Sequence, residues 1–459
     1  MAVTFHLSPD ISMPTSPRPS VSAWPNKSPF LRKTARAEKR SGLAGLAFAS
    51  LCLLVFAIPW EDGITIPGFG TGLRVVGMIA AGFGVLAMIE KGRVRRPASG
   101  HFVLALFVTA AAVSYLWSLD PEATLIQTFT YVQLLAMVWL IWEFAPRVED
   151  QVRLIQAYVL GTLISGSDTL YEFLTHRESV YQRYAGTNLD ANDLGLMMAL
   201  SIPLSYWLLL RSRGKIVWVY RLQLALAGTT VMLTASRGAT VATIAALAIV
   251  PVTQGRLSAR QKFAALLSLV LLASAVLLFA PETSWERLAT VPSEISQGTL
   301  SSRTIIWSAG WKIFQEHPVM GIGANAFRAV ASRVLAEPIR LEQASPAPPA
   351  HNTFLSVLVE QGLLGFAIFC GLLGCLGLAV SSMPVVSQQL WAVCSGVWVI
   401  GVSGLTWEMR KPTWFLFGLL LAQAAAWRQN AGVNQTDSPP KRPYPATRPF
   451  RGATRLATR

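Results

Sequence analysis

"AHNTFLSVLVEQGLLGFAIFCGLLGCLGLAV", residues 350–380, opens on a histidine and an asparagine and then runs apolar almost to its end, with Glu360 its one charged residue. About 20 apolar residues are enough for an α-helix to cross a bilayer. The stretch therefore reads as a transmembrane helix over 352–380, delivered by the prolines of "SPAPPA" (345–350). The same reading extends outward to about twelve spans: 42–59, 72–90, 100–117, 123–144, 153–174, 190–210, 215–234, 238–253, 263–280, 352–380, 388–405 and 412–427.

Composition agrees. The 459 residues are 52% hydrophobic and 14% charged, against about 25% charged in soluble domains. The charges gather between apolar runs. "KGRVRRP" (91–97), "APRVEDQVR" (145–153), "RSRGK" (211–215) and "TQGRLSARQK" (253–262) fall on one side, together with both tails. By the positive-inside rule that side is cytoplasmic. The uncharged "SSMPVVSQQ" (381–389) is its weak member.

The expected class is an all-α integral membrane protein of about twelve transmembrane helices, with one large loop on the opposite, outer side that contains short helices. The expected organisation is a disordered basic tail over 1–41, spans over 42–280, a loop domain over 281–350, spans over 351–427, and a second disordered basic tail over 428–459.

The net charge of +15 does not point to nucleic acid. Residues 1–40 hold seven Lys/Arg against two Asp/Glu, and 428–459 hold seven against one. Such tails suit cytoplasmic termini and anionic membrane lipids. The four cysteines, Cys52, Cys370, Cys375 and Cys394, all fall inside spans and read as packing residues. The first apolar run begins near residue 42, so no signal peptide is expected. No nucleotide loop, HExxH motif or zinc spacing is present, and neither a cofactor nor a metal is expected.

Within the loop, "SSRTIIWSAGWKIFQEHP" (301–318) reads as an amphipathic helix. Ser301 or Ser302 would cap it, and an apolar stripe would run through Ile305, Ile306, Trp307, Gly310, Trp311 and Phe314. "ANAFRAVASRVLAEP" (324–338) repeats that pattern. Both helices are expected over the outer mouth of the bundle.

Arginine is disfavoured on the outer side, yet Arg183, Arg237 and Arg303 sit there in tight contexts. Arg183 precedes the helix opening around Asp190 to Asp193. Arg237 occupies a very short turn between spans, with Gly238 permitting the reversal. Arg303 stands in the first turn of the loop helix. A planar guanidinium suits phosphate oxygens. Interfacial snorkelling or a salt bridge is the plainer reading for any single one.

His351, at the outer end of a span, is either a polar interfacial residue or a base near neutral pH. The helix dipole there disfavours its cationic form. Asn352 or Thr353 would cap the helix. Glu360, about 13 Å further in, is either a functional group, a partner for an arginine, or a structural acceptor. Asp168 and Arg221 carry weaker versions of the same argument, Arg221 snorkelling to the inner face.

Taken in order, "SYLWSLDP" (114–121), "RYAGTNLDANDLG" (183–195), "TASRGA" (234–239), "SSRTIIWSAGWKIFQEHPVMGIGANAF" (301–327) and "AHNTFLSVLVEQGLLG" (350–365) resemble the O-antigen ligase and Wzy-type polymerase superfamily. The resemblance runs from about residue 100 to 370. It implies a GT-C-like fold in the bacterial inner membrane, both termini cytoplasmic. It also implies an inverting, metal-independent transfer of undecaprenyl-pyrophosphate-linked glycan to an acceptor hydroxyl on the periplasmic face.

Mapped here, Arg183, Arg237 and Arg303 would hold the pyrophosphate, with Arg237 and His351 as the catalytic pair. Asn352, Glu360 and Asp193 would support them. Trp285, Trp307 and Trp311 are available to stack on sugars of the acceptor. The acceptor is a glycan or lipid A-core, or in relatives a protein, and other polysaccharide-assembly proteins are candidate partners. Ligase, polymerase and protein glycosyltransferase stay open. A flippase for lipid-linked sugars and a non-catalytic assembly subunit are the readings from other classes.

Overall fold

The computed structural model describes residues 42–66, 70–175, 183–186, 188–255, 257–279, 282–289, 303–335 and 348–436. The helices in chain order are α1 (Gly42–Ala57), α2 (Gly72–Lys91), α3 (Ser99–Val113), α4 (Pro121–Phe144), α5 (Val148–Leu174), α6 (Ala191–Arg211), α7 (Ile216–Leu233), α8 (Arg237–Leu247), α9 (Ile249–Gln254) and α10 (Ala259–Phe279). The loop carries α11 (Glu282–Ala289), α12 (Arg303–Glu316) and α13 (Phe327–Leu335), and α14 (Thr353–Ser381), α15 (Val385–Val402) and α16 (Lys411–Thr436) close the bundle.

Each expected span coincides with helix. Among the described residues eight helices are long and apolar enough to cross a membrane: α1 through its 3₁₀ extension, α2, α3, α4, α6, α7, α14 and α15. The other expected crossings fall on α5, on α8 with α9, on α10 and on α16. The crossing expected over 238–253 is two short helices meeting at Ala248. The expected loop 145–153 is shortened, because α5 already begins at Val148 and buries Asp150 against Arg147.

The tail expected from residue 428 is helical as far as Thr436. The remainder of both tails lies outside the described residues. Among the described residues the all-α expectation is modified only by a two-residue ribbon, β1 (Thr65–Ile66) paired antiparallel with β2 (Gly70–Thr71).

α6 is the enclosed centre of the bundle, 89% buried where α2 is 22% buried. It packs on α7, α8, α5 and α15. In a bilayer, association rests on close packing rather than on exclusion of water. Small residues let backbones approach: at Gly161 of α5 an added Cβ would stand 2.0 Å from the Phe56 carbonyl oxygen. The four cysteines are free thiols, as their setting in spans suggested.

The opening stretch holds the feature that shapes the outer end. α14 is broken at Gly362, where φ is 64° and ψ is −169°. That region of backbone space is essentially open to glycine alone. In an unbroken helix the Leu363 and Leu364 amides would donate to the carbonyls of residues 359 and 360. Here Leu363 N–H donates to Pro318 O (2.8 Å) and Leu364 N–H to Val319 O (3.2 Å). The vacated carbonyls accept Ile322 N–H (3.2 Å at Val359) and Gly323 N–H (2.9 Å at Glu360).

Loop residues 318–323 thus supply partners for these two amides and these two carbonyls. This is the condition for irregular backbone at membrane depth. "SYLWSLDP" buttresses the same loop from the other side. Leu119 N–H donates to Ile322 O (2.9 Å), Ala324 N–H to Ser114 Oγ (3.1 Å), and Trp117 Nε1 to Met320 O (3.2 Å).

Candidate functional site

The loop-bearing end of the bundle collects helix N-termini. α6 is capped by Asp190, whose carboxylate accepts Asn192 N–H and Asp193 N–H. α8 is capped by Ser236. α14 is capped by Asn352, whose Oδ1 accepts Leu355 N–H at 3.1 Å. Asn352 is therefore the cap and Thr353 the first helical residue. Open N-termini carry partial positive charge and suit anions.

All four non-glycine residues with positive φ among the described residues stand at this end: Asn188 (62°), Ala235 (46°), Asn325 (61°) and His351 (48°). Such conformations persist where the surroundings force them and gather at functional sites. The reversal before Arg237 is made by Ala235, not by Gly238. Gly238 lies inside α8 and has open space where a Cβ would be.

Arg183 is fixed by the bundle. Its Nε donates to Thr234 O (2.9 Å) and its Nη2 to Asn192 Oδ1 (2.8 Å). The same Asn192 oxygen accepts Ser236 Oγ–H at 3.0 Å. Asn192 therefore ties the Arg183 strand to the turn that presents Arg237.

A second hub is the segment 403–411. Thr353 Oγ–H donates to Leu405 O (2.8 Å) and accepts Trp407 N–H (2.7 Å). Ser356 Oγ–H donates to Glu408 Oε1 (2.7 Å), and Trp407 Nε1 donates to Asp193 Oδ1 (2.8 Å). Arg410 pairs with the other oxygen of Asp193, and Lys411 pairs with Glu61. The Arg303 guanidinium lies over Gly404, where an added Cβ would meet Nη1 at 2.8 Å. Asp193 thus joins α6 to this hub.

His351 sits between the groups. Burial first, then the Arg303 and Arg328 cations, hold its pKa below the ordinary 6.5, while the Asp190 carboxylate opposes them. The imidazole is neutral at pH 7 and can accept a proton. The structure thus ties Arg183 through Asn192 to Ser236, the cap that precedes Arg237, and sets Arg303, Arg328 and the α6 cap Asp190 within electrostatic reach of His351.

Glu360 is a structural acceptor. Its carboxylate takes Asn325 N–H (2.7 Å) and Phe327 N–H (3.3 Å), which fastens the start of α13. Trp307 spends its indole N–H on Ala350 O (3.1 Å), which positions the residue before His351. Trp311 is 51% exposed and leans on Phe314 at 5.2 Å. The buried face of α12 is Ile306, Ala309, Gly310 and Ile313. The stripe expected through Ile305 and Trp311 is therefore rotated. Those two face outward because α13 and α14 cover the other side, where Gly310 meets Phe327 and Leu355. Ser301 and Ser302 lie outside the described residues. Trp285 on α11 is exposed. Asp168 stands against Gly186, beside Arg183. Arg221 is buried with its guanidinium 4.6 Å from the Trp218 ring centre, rather than reaching the surface.

Trp407, Glu408, Arg410, Lys411 and Arg328 were missed as site residues. "WEMRKP" carries the signal, since it places three charges in a six-residue turn between two apolar spans. Nothing local in the sequence says that it faces Asp193.

These features define a multi-pass helical membrane protein with a strained, arginine-bearing mouth at one end. Residues 222–370, about a third of the chain, match the family model described as O-antigen ligase. No curated protein matches the chain. The match supports, in general terms, an enzyme of the O-antigen ligase or polymerase type.

Proposed function

We propose that the protein transfers a glycan from undecaprenyl pyrophosphate to an acceptor sugar hydroxyl at the periplasmic face of the bacterial inner membrane. The transfer inverts the anomeric carbon and needs no metal. Arg183, Arg237 and Arg303 receive the pyrophosphate. The acceptor oxygen attacks C1 from the opposite side, the C1–O bond to pyrophosphate breaks, and its electron pair leaves with the phosphate. The hydroxyl proton passes to the neutral His351 ring.

Guanidinium groups held before the reaction stabilise the charge that develops on the leaving group without having to reorganise. The observation that carries the reading is Arg183 fixed by Thr234 and Asn192 at the end of the bundle that also holds His351, whose pKa is kept below 6.5 by burial and by the Arg303 cation. A flippase is the competing reading, but the distinctive charges lie at one end of the bundle rather than near its midplane, where transporters place them.

The test is reconstitution in vesicles with a polyprenyl-pyrophosphate glycan and three acceptors: a glycan, a lipid A-core and a peptide. ATP is omitted and a chelator is present. The expected result is a conjugate formed in step with released polyprenyl pyrophosphate. Movement of the glycan lipid between leaflets, with no conjugate from any acceptor, would sink the proposal in favour of transport.

A further inference from the structure

The start of α13 carries a cation that the proposed pyrophosphate site does not use. Arg328 is exposed. Among the described residues no carboxylate pairs with it and no hydrogen bond holds its guanidinium. Arg183 and Arg410 differ, since each is held by a partner.

The backbone under Arg328 is nonetheless fixed. The preceding Phe327 is 2% exposed and gives its amide to Glu360. Phe327 shares one small core with Ile306 and Ala350. Ile306 lies one turn after Arg303 on α12, and Ala350 directly precedes His351. One core therefore underlies the chain positions of Arg303, Arg328 and His351.

Helix geometry sets where Arg328 stands. At about 100° per residue, Phe327, Ala331 and Val334 share the face of α13 turned to that core. Arg328 and Ser332, both exposed, lie on one flank, about 40° apart. Arg333, also exposed, falls on the opposite flank, about 140° from Arg328. The charge acting on His351 and Glu360 from α13 is that of Arg328. The Arg328 flank is thus the one that meets the mouth.

A guanidinium with unused donors recognises a carboxylate or a phosphate through paired hydrogen bonds. The Ser332 hydroxyl donates to Ala329 O at 2.7 Å, and its oxygen can still accept from a sugar hydroxyl. Displacement with inversion brings the acceptor to C1 from the side away from the pyrophosphate. Arg183 and Arg237 belong to the group around α6 and α8, whereas Arg328 approaches His351 from the loop. We propose that Arg328 is a specificity determinant: it binds a carboxylate or phosphate carried by the acceptor glycan, Ser332 accepts a neighbouring hydroxyl, and the attacking hydroxyl is thereby set against His351. This rests on the glycan transfer proposed above, and adds that the acceptor is anionic.

Binding is tested apart from turnover. Full-length protein in phosphatidylcholine nanodiscs, without donor, is titrated at pH 8 with trigalacturonate and with maltotriose phosphate. Their neutral counterparts, galactotriose and maltotriose, are titrated beside them. At that pH the His351 ring is neutral and does not add to the charge. One charged glycan or both should bind about tenfold more tightly than the neutral counterpart, the scale of a hydrogen bond to a charged group. Which of them does so tells carboxylate from phosphate.

Arg328→Gln should abolish that difference and leave the neutral glycans as they were. Arg328→Lys should restore part of it, and Arg333→Gln should keep the wild-type values. In the vesicle assay at pH 8, Arg328→Gln should raise KM for a charged acceptor more than it lowers kcat. No preference for charge, an equal loss for charged and neutral glycans, or the same loss in Arg333→Gln overturns the assignment. So does a preference that vanishes when phosphatidylglycerol replaces phosphatidylcholine, which would make Arg328 a lipid contact. Arg328-dependent binding without transfer would instead break the proposed function and leave the anion site standing.

Discussion

The two ends of the bundle treat arginine differently. At the tail-bearing end Arg95 stacks on Trp142, 3.8 Å from the ring centre, and donates to the Trp142 carbonyl. Arg211 stacks on Trp207 at 4.0 Å. Glu143 accepts from Lys91 and from the Arg95 amide. At the loop-bearing end Arg183 is held by Asn192 and a carbonyl, and Arg410 by Asp193. All the positive-φ residues other than glycine among the described residues also stand there. Cations laid on aromatic faces anchor a helix end. Cations held by amides and carboxylates, amid helix N-termini and strained backbone, are the ones that the proposed function sets to meet an anion.

The comparison can be broken or sharpened by substitution. The largest expected effect is Gly362→Ala, which forces a Cβ to 2.2 Å from the Val319 carbonyl oxygen in a conformation reserved for glycine. A loss of about 3 kcal/mol or more is expected, read as a collapse of thermal stability in detergent. A stable variant would mean that the break is not fixed by the loop.

Next comes Glu360→Gln, which can accept only one of the two amide bonds now made to Asn325 and Phe327. It should cost about 1–3 kcal/mol and expose residues 318–327 to amide exchange, leaving the tail-bearing end protected. Smaller and opposite in sign, Ala235→Gly relieves a left-handed alanine and should stabilise by up to about 1 kcal/mol. His351→Gly should do the same while abolishing transfer, which separates the imidazole from its backbone.

The smallest effect is a pH shift. His351 titrates below 6.5, so transfer should be flat at neutral pH and fall only on acidification. Arg328→Gln removes a cation that depresses the imidazole, so its acid limb in kcat/KM should move to higher pH. Asp190→Asn removes the opposing carboxylate and should move that limb lower. Limbs that stay in place would mean that His351 does not carry the proton.

Much of this was legible in the chain. Apolar runs and the bias of Lys and Arg give the helices, because bilayer length and desolvation act on local composition. The arginines and His351 stand out because charge at that end needs a reason. What stayed hidden is non-local. "GIGAN" and "EQG" are unremarkable apart, and only the pairing of 318–323 with 359–364 explains the Gly362 break. Asp193 shows a helix start, and its tie to Trp407 and Arg410 spans more than two hundred residues.

The most direct measurement is the transfer rate of Arg237→Ala beside Arg95→Ala in the same vesicles, normalised to inserted protein. Loss of one preorganised donor costs about 10²–10³ in rate. The account predicts that loss for Arg237→Ala, with Arg95→Ala turning over near the wild-type rate and only its thermal stability reduced. Equal rates for the two variants, or a larger loss for Arg95→Ala, would contradict it.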